Sequence, residues 1–457
     1  MKKIIYIVVF AILSTGCKIE QPIENKTVVL KGTIVNYDQD TLYMNNVSSK
    51  SLLFIEEIHK ILLKEKSNFE FRFELEKPAY FQIGRTFLYL SPGDSLVANI
   101  DTRDRSYGKF NGTGADANNY LTKVPYPKGG SFWGVEREAS SKIETYKDVP
   151  EAFNKLLKNR MDELAALKTV SDDFRKLETA RNKFDYVNSL SSLFYLYYGK
   201  VRNGEMTQDE MQSKMKEAEK YLASYKKIHL DDFNKSDYLQ LEVFHSILYL
   251  LKDDKFIKDL ELPELNRNLK EYLKTNDLVN ELKFNGYSNE AGKLLKQTAE
   301  SITNSAYKSV LLNLKNEYTS ILKGNPASDL TFTKLDGNTV KLSDYKGKVI
   351  VLDLWATWCG PCMAEKPFFE ALEKKYHDND NIELISLSID KEKVWRKYFD
   401  KNEVVGNQLQ INRSQLSEYK VAAIPRFFVI DKDFKIVDVF APLPSTGELE
   451  KLINEYI

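Results

Sequence analysis

The first part of the chain shows the alternation of apolar and polar side chains that is typical of β-strands. Within residues 69–75 single charged side chains separate the apolar ones, which are Phe69, Phe71, Phe73 and Leu75. Because successive side chains of a strand point to opposite faces, this period of two places all four on one face. We therefore predict a strand here, with that face buried in a hydrophobic core.

Further short strands surround this segment. Residues 27–36 and 41–46 predict two strands, while residues 87–90 and 95–100 predict a hairpin across the Pro- and Gly-containing turn between them. The region of residues 27–114 is thus predicted to form a small antiparallel β-sandwich.

Residues 115–323 have the spacing of amphipathic helices instead. Two apolar stripes recur every three or four residues, and they consist of Phe153, Leu157, Met161 and Leu164, and of Val310, Leu314, Tyr318 and Ile321. Such stripes are typical of helix faces in a core, so we predict a helical domain. The aromatic-rich segment 190–198 is predicted to be a buried helix, with a partner surface as the alternative. Gly324 and Pro326 are predicted to mark the boundary after the last helix.

The last third alternates strand-like and helix-like segments, which is typical of an α/β domain. An apolar run at residues 349–355 precedes a helix at residues 361–376. The other predicted elements are a hairpin near residue 337, strands at 382–389, 408–411, 426–430 and 436–440, and helices at 392–402 and 447–456. Residues 324–457 are therefore predicted to be one α/β domain.

Composition is that of an ordinary globular protein with several domains. The chain has 457 residues, too many for one core, of which 42% are hydrophobic and 29% charged. Its 66 basic and 66 acidic residues give zero net charge, so nothing favours a nucleic-acid partner.

The N-terminus has the pattern of a secretion signal. Two lysines precede an apolar run at residues 4–13, which is too short for a membrane span of about 20 residues. Small residues then lead to Cys17, which resembles a bacterial lipobox, although Ser14 stands where an aliphatic residue is usual. We predict a lipoprotein signal peptide at residues 1–16, an acylated Cys17 and a polar tether at residues 17–26, with simple secretion as the alternative.

Cys359 and Cys362 are separated by two residues at the start of the helix that follows the apolar run. This position suits thiol-disulfide exchange, because the helix dipole and the backbone N–H groups favour a thiolate on the first sulfur. We predict Cys359 as the nucleophile, Cys362 as the resolving thiol, and a redox-active disulfide between them.

A zinc site is the alternative interpretation of such a cysteine pair, and it would need a second pair of ligands nearby. The chain has three cysteines in all, and its four histidines are scattered singly at His59, His229, His245 and His377. We therefore predict no metal site and no cofactor beyond the two thiols.

Residues 324–457 resemble thioredoxin-fold proteins of the TlpA/ResA type. The matching positions around the two cysteines are Asp353, Glu365, Pro367, Ile424 and Pro425. The resemblance implies a thioredoxin fold with the TlpA/ResA-type insertion, here residues 392–411. The β-rich region also resembles the domain often found ahead of thioredoxin-like domains in anchored bacterial proteins.

Two acidic residues are candidates for taking the proton of Cys362. The resemblance places Asp353 at the position of thioredoxin's buried carboxylate and Glu365 at that of an acidic residue in ResA-like reductases. A half-buried carboxylate with a raised pKa suits this proton transfer. The alternatives are that Asp353 only terminates a strand and that Glu365 only lies near the positive end of a helix.

The resemblance also implies a surface for substrate docking. The expected substrate-binding residues are Trp358, Gly360, Pro361, Ile424 and Pro425. Pro425 is expected to be cis, although only about 5% of X–Pro bonds are, and Trp355 is expected to pack in the core. Arg426 replaces the threonine common in thioredoxins, and it either raises the positive potential near the thiolate or lies in solvent.

The predicted function is that of a membrane-anchored thiol-disulfide oxidoreductase in the cell envelope, facing the periplasm, with a soluble periplasmic protein as the alternative. Gly360 and Pro361 match thioredoxin, whose potential of about −270 mV favours reduction of clients. The implied partners are disulfide-containing envelope proteins, a membrane thiol electron donor and the membrane itself. Two alternatives stay open, a binding lipoprotein with an accessory redox domain and a thiol peroxidase.

Overall fold

The structure is a computed structural model that describes residues 26–65, 67–103, 108–124, 132–134 and 140–457. The predicted signal peptide, Cys17 and the tether before Lys26 lie outside the described residues. The chain divides into two compact units, Met1–Glu264 and Leu265–Ile457. Residues 265–323, predicted as the end of a helical domain, therefore belong to the same unit as the predicted α/β domain.

The first unit begins with two four-stranded sheets, in the orders β4-β1-β7-β8 and β3-β2-β5-β6. Their strands are β1 (Thr27–Val35), β2 (Thr41–Asn46), β3 (Ile58–Leu62), β4 (Asn68–Glu74), β5 (Ala79–Ile83), β6 (Thr86–Leu90), β7 (Ser95–Asp101) and β8 (Gly108–Gly112). Apolar side chains of both sheets share one core, which contains Leu30, Met44 and Phe81. The predicted β-sandwich is thus confirmed.

Strand pairing departs from the predicted pattern in two places. β1 and β7 run parallel, whereas the other described pairs of both sheets are antiparallel. The predicted hairpin of residues 87–90 and 95–100 is wrong, because β6 pairs with β5 and β7 pairs with β1 and β8. The turn between them carries the chain from one sheet to the other. Asp94 fixes this turn, since its carboxylate accepts the Ser91 N–H at 2.8 Å and its own carbonyl accepts the Val29 N–H.

Helices complete the first unit. Those within the described residues are α1 (Val47–Leu53), α2 (Ala115–Lys123), α3 (Val149–Ala166), α4 (Asp172–Ser191), α5 (Phe194–Arg202), α6 (Gln208–Ile228), α7 (Glu242–Leu250) and α8 (Asp254–Asp259). Phe153, Leu157 and Leu164 are buried as the stripe on α3 predicts. The prediction that residues 190–198 are buried is wrong for Phe194, Tyr195 and Tyr198, which α5 exposes.

The second unit starts with α9 (Arg267–Asn285), α10 (Asn289–Ser301) and α11 (Ser305–Thr319). A seven-stranded sheet follows in the order β10-β9-β13-β12-β11-β14-β15. Its strands are β9 (Thr331–Lys334), β10 (Thr339–Lys341), β11 (Val349–Trp355), β12 (Ile382–Ser388), β13 (Asn407–Gln410), β14 (Arg426–Ile430) and β15 (Ile436–Ala441). The helices α12 (Gly360–Lys375), α13 (Glu392–Phe399) and α14 (Glu448–Asn454) connect or follow these strands.

This sheet confirms the predicted thioredoxin fold. The central strand β11 pairs in parallel with β12 and antiparallel with β14. The predicted insertion, residues 392–411, contains α13 and β13, and β13 pairs with β12 and β9. Every residue of β11 is buried, which explains its nearly continuous apolar sequence. Among the described residues, no helix combines the length and hydropathy of a membrane span.

Candidate active site

The two cysteines lie where β11 passes into α12. Cys359 is the N-cap residue of the helix, and its Sγ accepts the backbone N–H of Cys362 at 3.2 Å. A disulfide joins Cys359 to Cys362, with their Cα atoms 5.3 Å apart. When this bond is reduced, the same N–H and the positive end of the helix favour negative charge on the Cys359 sulfur.

Apolar side chains surround the disulfide on its inner side. Trp355 and Trp395 are buried in the same cluster as both cysteines. On the outer side Trp358 is 65% exposed, and Gly360 and Pro361 are exposed as well. The sulfur pair therefore lies at the border between a dry core and an open surface.

The loop before β14 lies against the first sulfur. The Ile424–Pro425 peptide bond is cis, as predicted. Cys359 Sγ is 3.8 Å from the carbonyl oxygen of Ile424. Ile424 and Pro425 are both half-buried, so this loop is partly open to solvent beside the nucleophilic position.

Asp353 lies in β11, the strand that leads to the redox pair, six residues before Cys359. It is 3% exposed, so the predicted burial is confirmed. Burial raises the pKa of its carboxyl to about 7, the nearby Lys366 ammonium opposes this rise, and the charges of Glu365 and Glu370 add to it. A carboxyl with such a pKa exchanges its proton near neutral pH.

Glu365, the second acidic candidate, contacts a turn outside its own helix. It is half-buried, and its carboxylate accepts the Ser445 N–H at 3.0 Å and the Ser445 hydroxyl at 2.8 Å. Ser445 belongs to the short 3₁₀ helix Pro444–Thr446. The structure thus shows Glu365 as a group that holds this turn against the active-site helix.

Comparison with known proteins supports the same chemistry. The family model described as Redoxin matches residues 322–453. The thiol-disulfide oxidoreductase ResA of a Bacillus cereus strain is 34% identical over 134 residues, which are 29% of this chain and 77% of ResA. ResA of Bacillus subtilis (strain 168) is 30% identical over 141 residues, 30% of this chain and 75% of its own. The chain belongs to the ResA-like thiol-disulfide oxidoreductases.

Two solved structures are also similar to the ResA-like part of the chain. A thiol-disulfide oxidoreductase from Bacteroides vulgatus is 42% identical, and the match covers 30% of this chain and 99% of that one with a TM-score of 0.30. The thiol:disulfide interchange protein DsbE from Chlorobium tepidum is 28% identical, with coverages of 30% and 98% and a TM-score of 0.27.

The loop that leads to the ResA-like cysteine pair has a support that the sequence pattern did not reveal. The Asp390 carboxylate accepts the Thr357 N–H at 2.7 Å and lies 3.2 Å from both the Thr357 and the Ser388 hydroxyls. Asp390 is buried just beyond β12, so it fixes the backbone two residues before Cys359. The sequence gives one signal for this contact. Asp390 follows β12, which runs parallel to β11, so both strands end at the edge of the sheet where the cysteines lie.

Arg426 follows the cis-proline of the ResA-like domain and is 5% exposed, so the alternative that it lies in solvent is wrong. Its guanidinium lies 3.7 Å from the centre of the Phe440 ring. It donates to the carbonyl oxygens of Val439 at 3.3 Å and of Lys283, in the last turn of α9, at 3.0 Å. The residue therefore connects the loop before β14 with β15 and with α9.

A second buried carboxyl was also missed. Glu373, near the end of α12, is 6% exposed, and burial raises its pKa to about 8. The positive charge of Lys366 opposes this rise, and its Nζ lies 3.2 Å from Glu370 and 4.8 Å from the centre of the Trp355 ring. Among the described residues, no group of three or more His, Cys, Asp or Glu side chains is arranged to hold a metal ion.

Proposed function

We propose that this protein is a lipid-anchored reductase that acts on protein disulfides in the cell envelope, with Cys359 and Cys362 as its dithiol. The observation that carries the proposal is the disulfide at the first turn of α12, with Cys359 Sγ 3.8 Å from the Ile424 carbonyl oxygen. A client segment that lies along the Ile424–Pro425 loop brings its own disulfide to that sulfur.

Reduction begins with the dithiol form. The Cys359 thiolate bonds to one client sulfur, the client disulfide breaks, and the second client sulfur leaves and takes up a proton. Cys362 then loses its proton and attacks Cys359 Sγ, which breaks the mixed disulfide and releases the first client sulfur. Two electrons have passed to the client, and the Cys359–Cys362 disulfide is the product.

Asp353 is our choice for the group that takes the proton of Cys362. Its pKa of about 7 allows it to be ionised before the transfer and protonated after it. Glu365 remains the second candidate, but its carboxylate already accepts two hydrogen bonds from Ser445. In this assignment Glu365 positions the turn beside α12.

Docking of the client uses the surface around the first sulfur. Trp358, Gly360 and Pro361 are exposed on one side of Cys359, and the half-buried Ile424 and Pro425 lie on the other. A flat aromatic side chain beside a partly open loop can bind an extended client segment without requiring one particular sequence. This surface supports a broad range of protein clients.

The direction of electron flow follows from the Gly-Pro pair between the cysteines, which matches thioredoxin at about −270 mV. A reductant outside the cytoplasm has to be recharged, so we infer a membrane thiol electron donor as the second partner.

The anchor at Cys17 is part of the proposal. Fatty-acid labelling of cells that express the full chain should mark the protein, and Cys17→Ser should abolish the label and release the protein from the membrane fraction. Unlabelled but exported wild-type protein would favour the soluble periplasmic alternative.

Trapping tests the central activity. In Cys362→Ala the second step is blocked, so clients should stay covalently bound to Cys359 and be released by dithiothreitol. The double variant Cys359→Ala/Cys362→Ala is the matched control and should trap nothing. An exported, folded Cys362→Ala protein that forms no mixed disulfide in cells would refute client reduction.

A binding role for the first unit is the second candidate function, because α5 exposes Phe194, Tyr195 and Tyr198. The rings of Phe194 and Tyr198 pack together with their centres 4.7 Å apart. If this surface selects clients, Phe194→Ser/Tyr198→Ser should reduce trapping by the Cys362→Ala protein and leave reduction of a small disulfide unchanged. Equal trapping with and without the two rings would exclude this role.

A further inference from the structure

Three polar side chains form a row across the middle of the second unit's sheet. Asp353 of β11 is the register partner of Ser386 of β12, and Ser386 is the partner of Gln408 of β13. Register partners project from the same face of a sheet. All three residues are buried, in strands that otherwise supply apolar core.

Glu373 reaches this row from α12. The Ser386 hydroxyl donates to Glu373 Oε1 at 3.4 Å, so the carboxyl lies over the same face as Asp353. On its other side the carboxyl fills the space beside Gly406, where a Cβ atom would lie 2.2 Å from Oε1. Since Gly406 is exposed, Glu373 stands between the polar row and the protein surface.

The surroundings of Glu373 do not compensate a full negative charge. Its Oε2 is buried and has no hydrogen-bond partner among the described residues. The charged groups that face it are Lys366 and Glu370 of its own helix and Asp353 of β11, while β12 contributes the Ser386 hydroxyl. Lys366 is already paired with Glu370, so three carboxyls share one ammonium group. Two uncompensated buried carboxylates are costly, and such a pair retains a proton.

We propose that Glu373 is a positioning residue of the redox centre. Its carboxyl holds the proton that would otherwise stay on Asp353. This inference rests on the proposed function, in which Asp353 accepts the proton of Cys362. With Glu373 protonated, Asp353 is free to ionise at neutral pH and to act as the base.

The pKa shifts of the two carboxyls agree with a protonated Glu373 beside an ionised Asp353. Burial raises both pKa values, to about 7 for Asp353 and about 8 for Glu373, and the Asp353 charge adds to the rise at Glu373. The charge of ionised Asp353 therefore favours the proton on Glu373. The Ser386 hydrogen bond opposes the rise at Glu373.

The kinetic test follows Cys362 attacking a mixed disulfide of Cys359 with thionitrobenzoate, in the full chain, by release of the coloured thiol. The wild-type rate should rise near pH 7, where Asp353 ionises, and again near pH 8, where the charge on ionised Glu373 makes Asp353 a stronger base. Glu373→Gln, which is permanently neutral, should keep the first step and lose the second, while Ser386→Ala should move the second step to higher pH. Glu370→Gln is the matched control and should keep both steps but move them to lower pH, because it removes a neighbouring negative charge and frees Lys366.

A second measurement does not need the redox reaction. Between pH 7 and 8 the ionisation of Glu373 should raise the unfolding constant of the wild type about fivefold more than that of Glu373→Gln, because only the folded state holds this proton. Asp353→Asn removes the negative charge next to Glu373, so in that background the pH at which Glu373 ionises and lowers the stability should be lower.

The kinetic and the stability measurements distinguish a failure of the proposed reaction from a failure of the role of Glu373. If thionitrobenzoate is not released from any variant while the stability difference is present, the proposed reaction fails and the proton-holding pair stands. If Glu373→Gln has the same pH dependence as the wild type in both measurements, or if Glu370→Gln removes the same step, the role of Glu373 is overturned.

Discussion

A carboxyl group inside an apolar strand is costly, and Asp353 shows that this cost can be recognised in a sequence. Its place in an otherwise apolar run predicted burial, and the structure confirms it. Glu373 could not be recognised in this way, because a glutamate near the end of a helix is usually solvated. Its burial depends on Gly406, which is distant in sequence and leaves room for the carboxyl.

Asp353→Asn should slow the resolution of mixed disulfides at pH 7 by roughly a hundredfold, because the proton of Cys362 loses its acceptor. The measurement is the release of a thiol from a Cys359 mixed disulfide. Asp380→Asn, an exposed aspartate of the same unit, is the control. An unchanged rate in Asp353→Asn would assign the proton transfer to another group.

The same substitution should stabilise the fold at alkaline pH. The pKa of Asp353 is raised from 3.8 to about 7, so the folded state holds a proton that the unfolded state has lost. Wild-type stability therefore falls as pH rises from about 4 to 7, and Asp353→Asn should avoid a loss of roughly 2 to 4 kcal/mol. Urea unfolding at pH 5 and pH 8 measures this difference, and equal differences at both pH values would contradict it.

Glu365→Gln separates the two acidic candidates. An amide keeps one acceptor oxygen for Ser445, so we expect a loss of about 1 kcal/mol in stability and a resolution rate within a factor of about two of the wild type. The pair Glu365→Gln and Asp353→Asn is compared in the same rate assay. A slow Glu365→Gln with a normal Asp353→Asn would exchange the roles of the two carboxyls.

At the scale of elements, the sequence pattern predicted strands and helices well where one face is buried. The strands and helices of the thioredoxin fold lie close to their predicted positions. Pairing was harder, because the turn between β6 and β7 has the residues of a hairpin turn but passes between two sheets. The exposed rings of α5 were missed for a similar reason, since a run of aromatic side chains does not tell which of them face a core.

Arg426 connects β14 with β15 and with α9, and no sequence pattern predicted the contact with α9. We expect Arg426→Met to keep the packing of the aliphatic stem and to lose the donors to Val439 and Lys283. The loss should be about 1 to 3 kcal/mol in unfolding free energy, with faster hydrogen exchange in the last turn of α9.

The control for this substitution is Arg413→Met, which removes an exposed arginine that donates to the Ala422 carbonyl. It should change the unfolding free energy by less than about 0.5 kcal/mol. Unchanged hydrogen exchange of α9 in Arg426→Met would show that this contact does not fix the helix.

At the scale of the molecule, the order of β-rich, helical and α/β regions follows from the periodicity of the sequence. The assignment of α9, α10 and α11 to the second unit does not follow from it, because an apolar stripe predicts burial without naming the surface that covers it.

In the first unit, a buried polar cluster joins the β-rich region to α4. The Tyr80 hydroxyl donates to Glu178 at 2.8 Å, and Arg181 bonds to both Glu178 and Asp185.

Arg181→Leu should destabilise the first unit by about 3 to 5 kcal/mol, because it leaves Glu178 and Asp185 in a dry interior without this cation. Tyr80→Phe, which removes one hydrogen bond, should cost about 1 kcal/mol. Urea unfolding of the full chain measures both. Reduction of a small disulfide at Cys359 should be unchanged, and a parallel loss of that activity would mean that the cluster also supports the redox unit.

The chain has four tryptophans, and three of them, Trp133, Trp355 and Trp395, are buried while Trp358 is exposed beside Cys359. The molecule thus has a built-in optical reporter at its reactive end. Iodide should quench mainly the fluorescence of Trp358, and a docked polypeptide should shield that ring, so encounters with clients can be followed in real time without any attached dye.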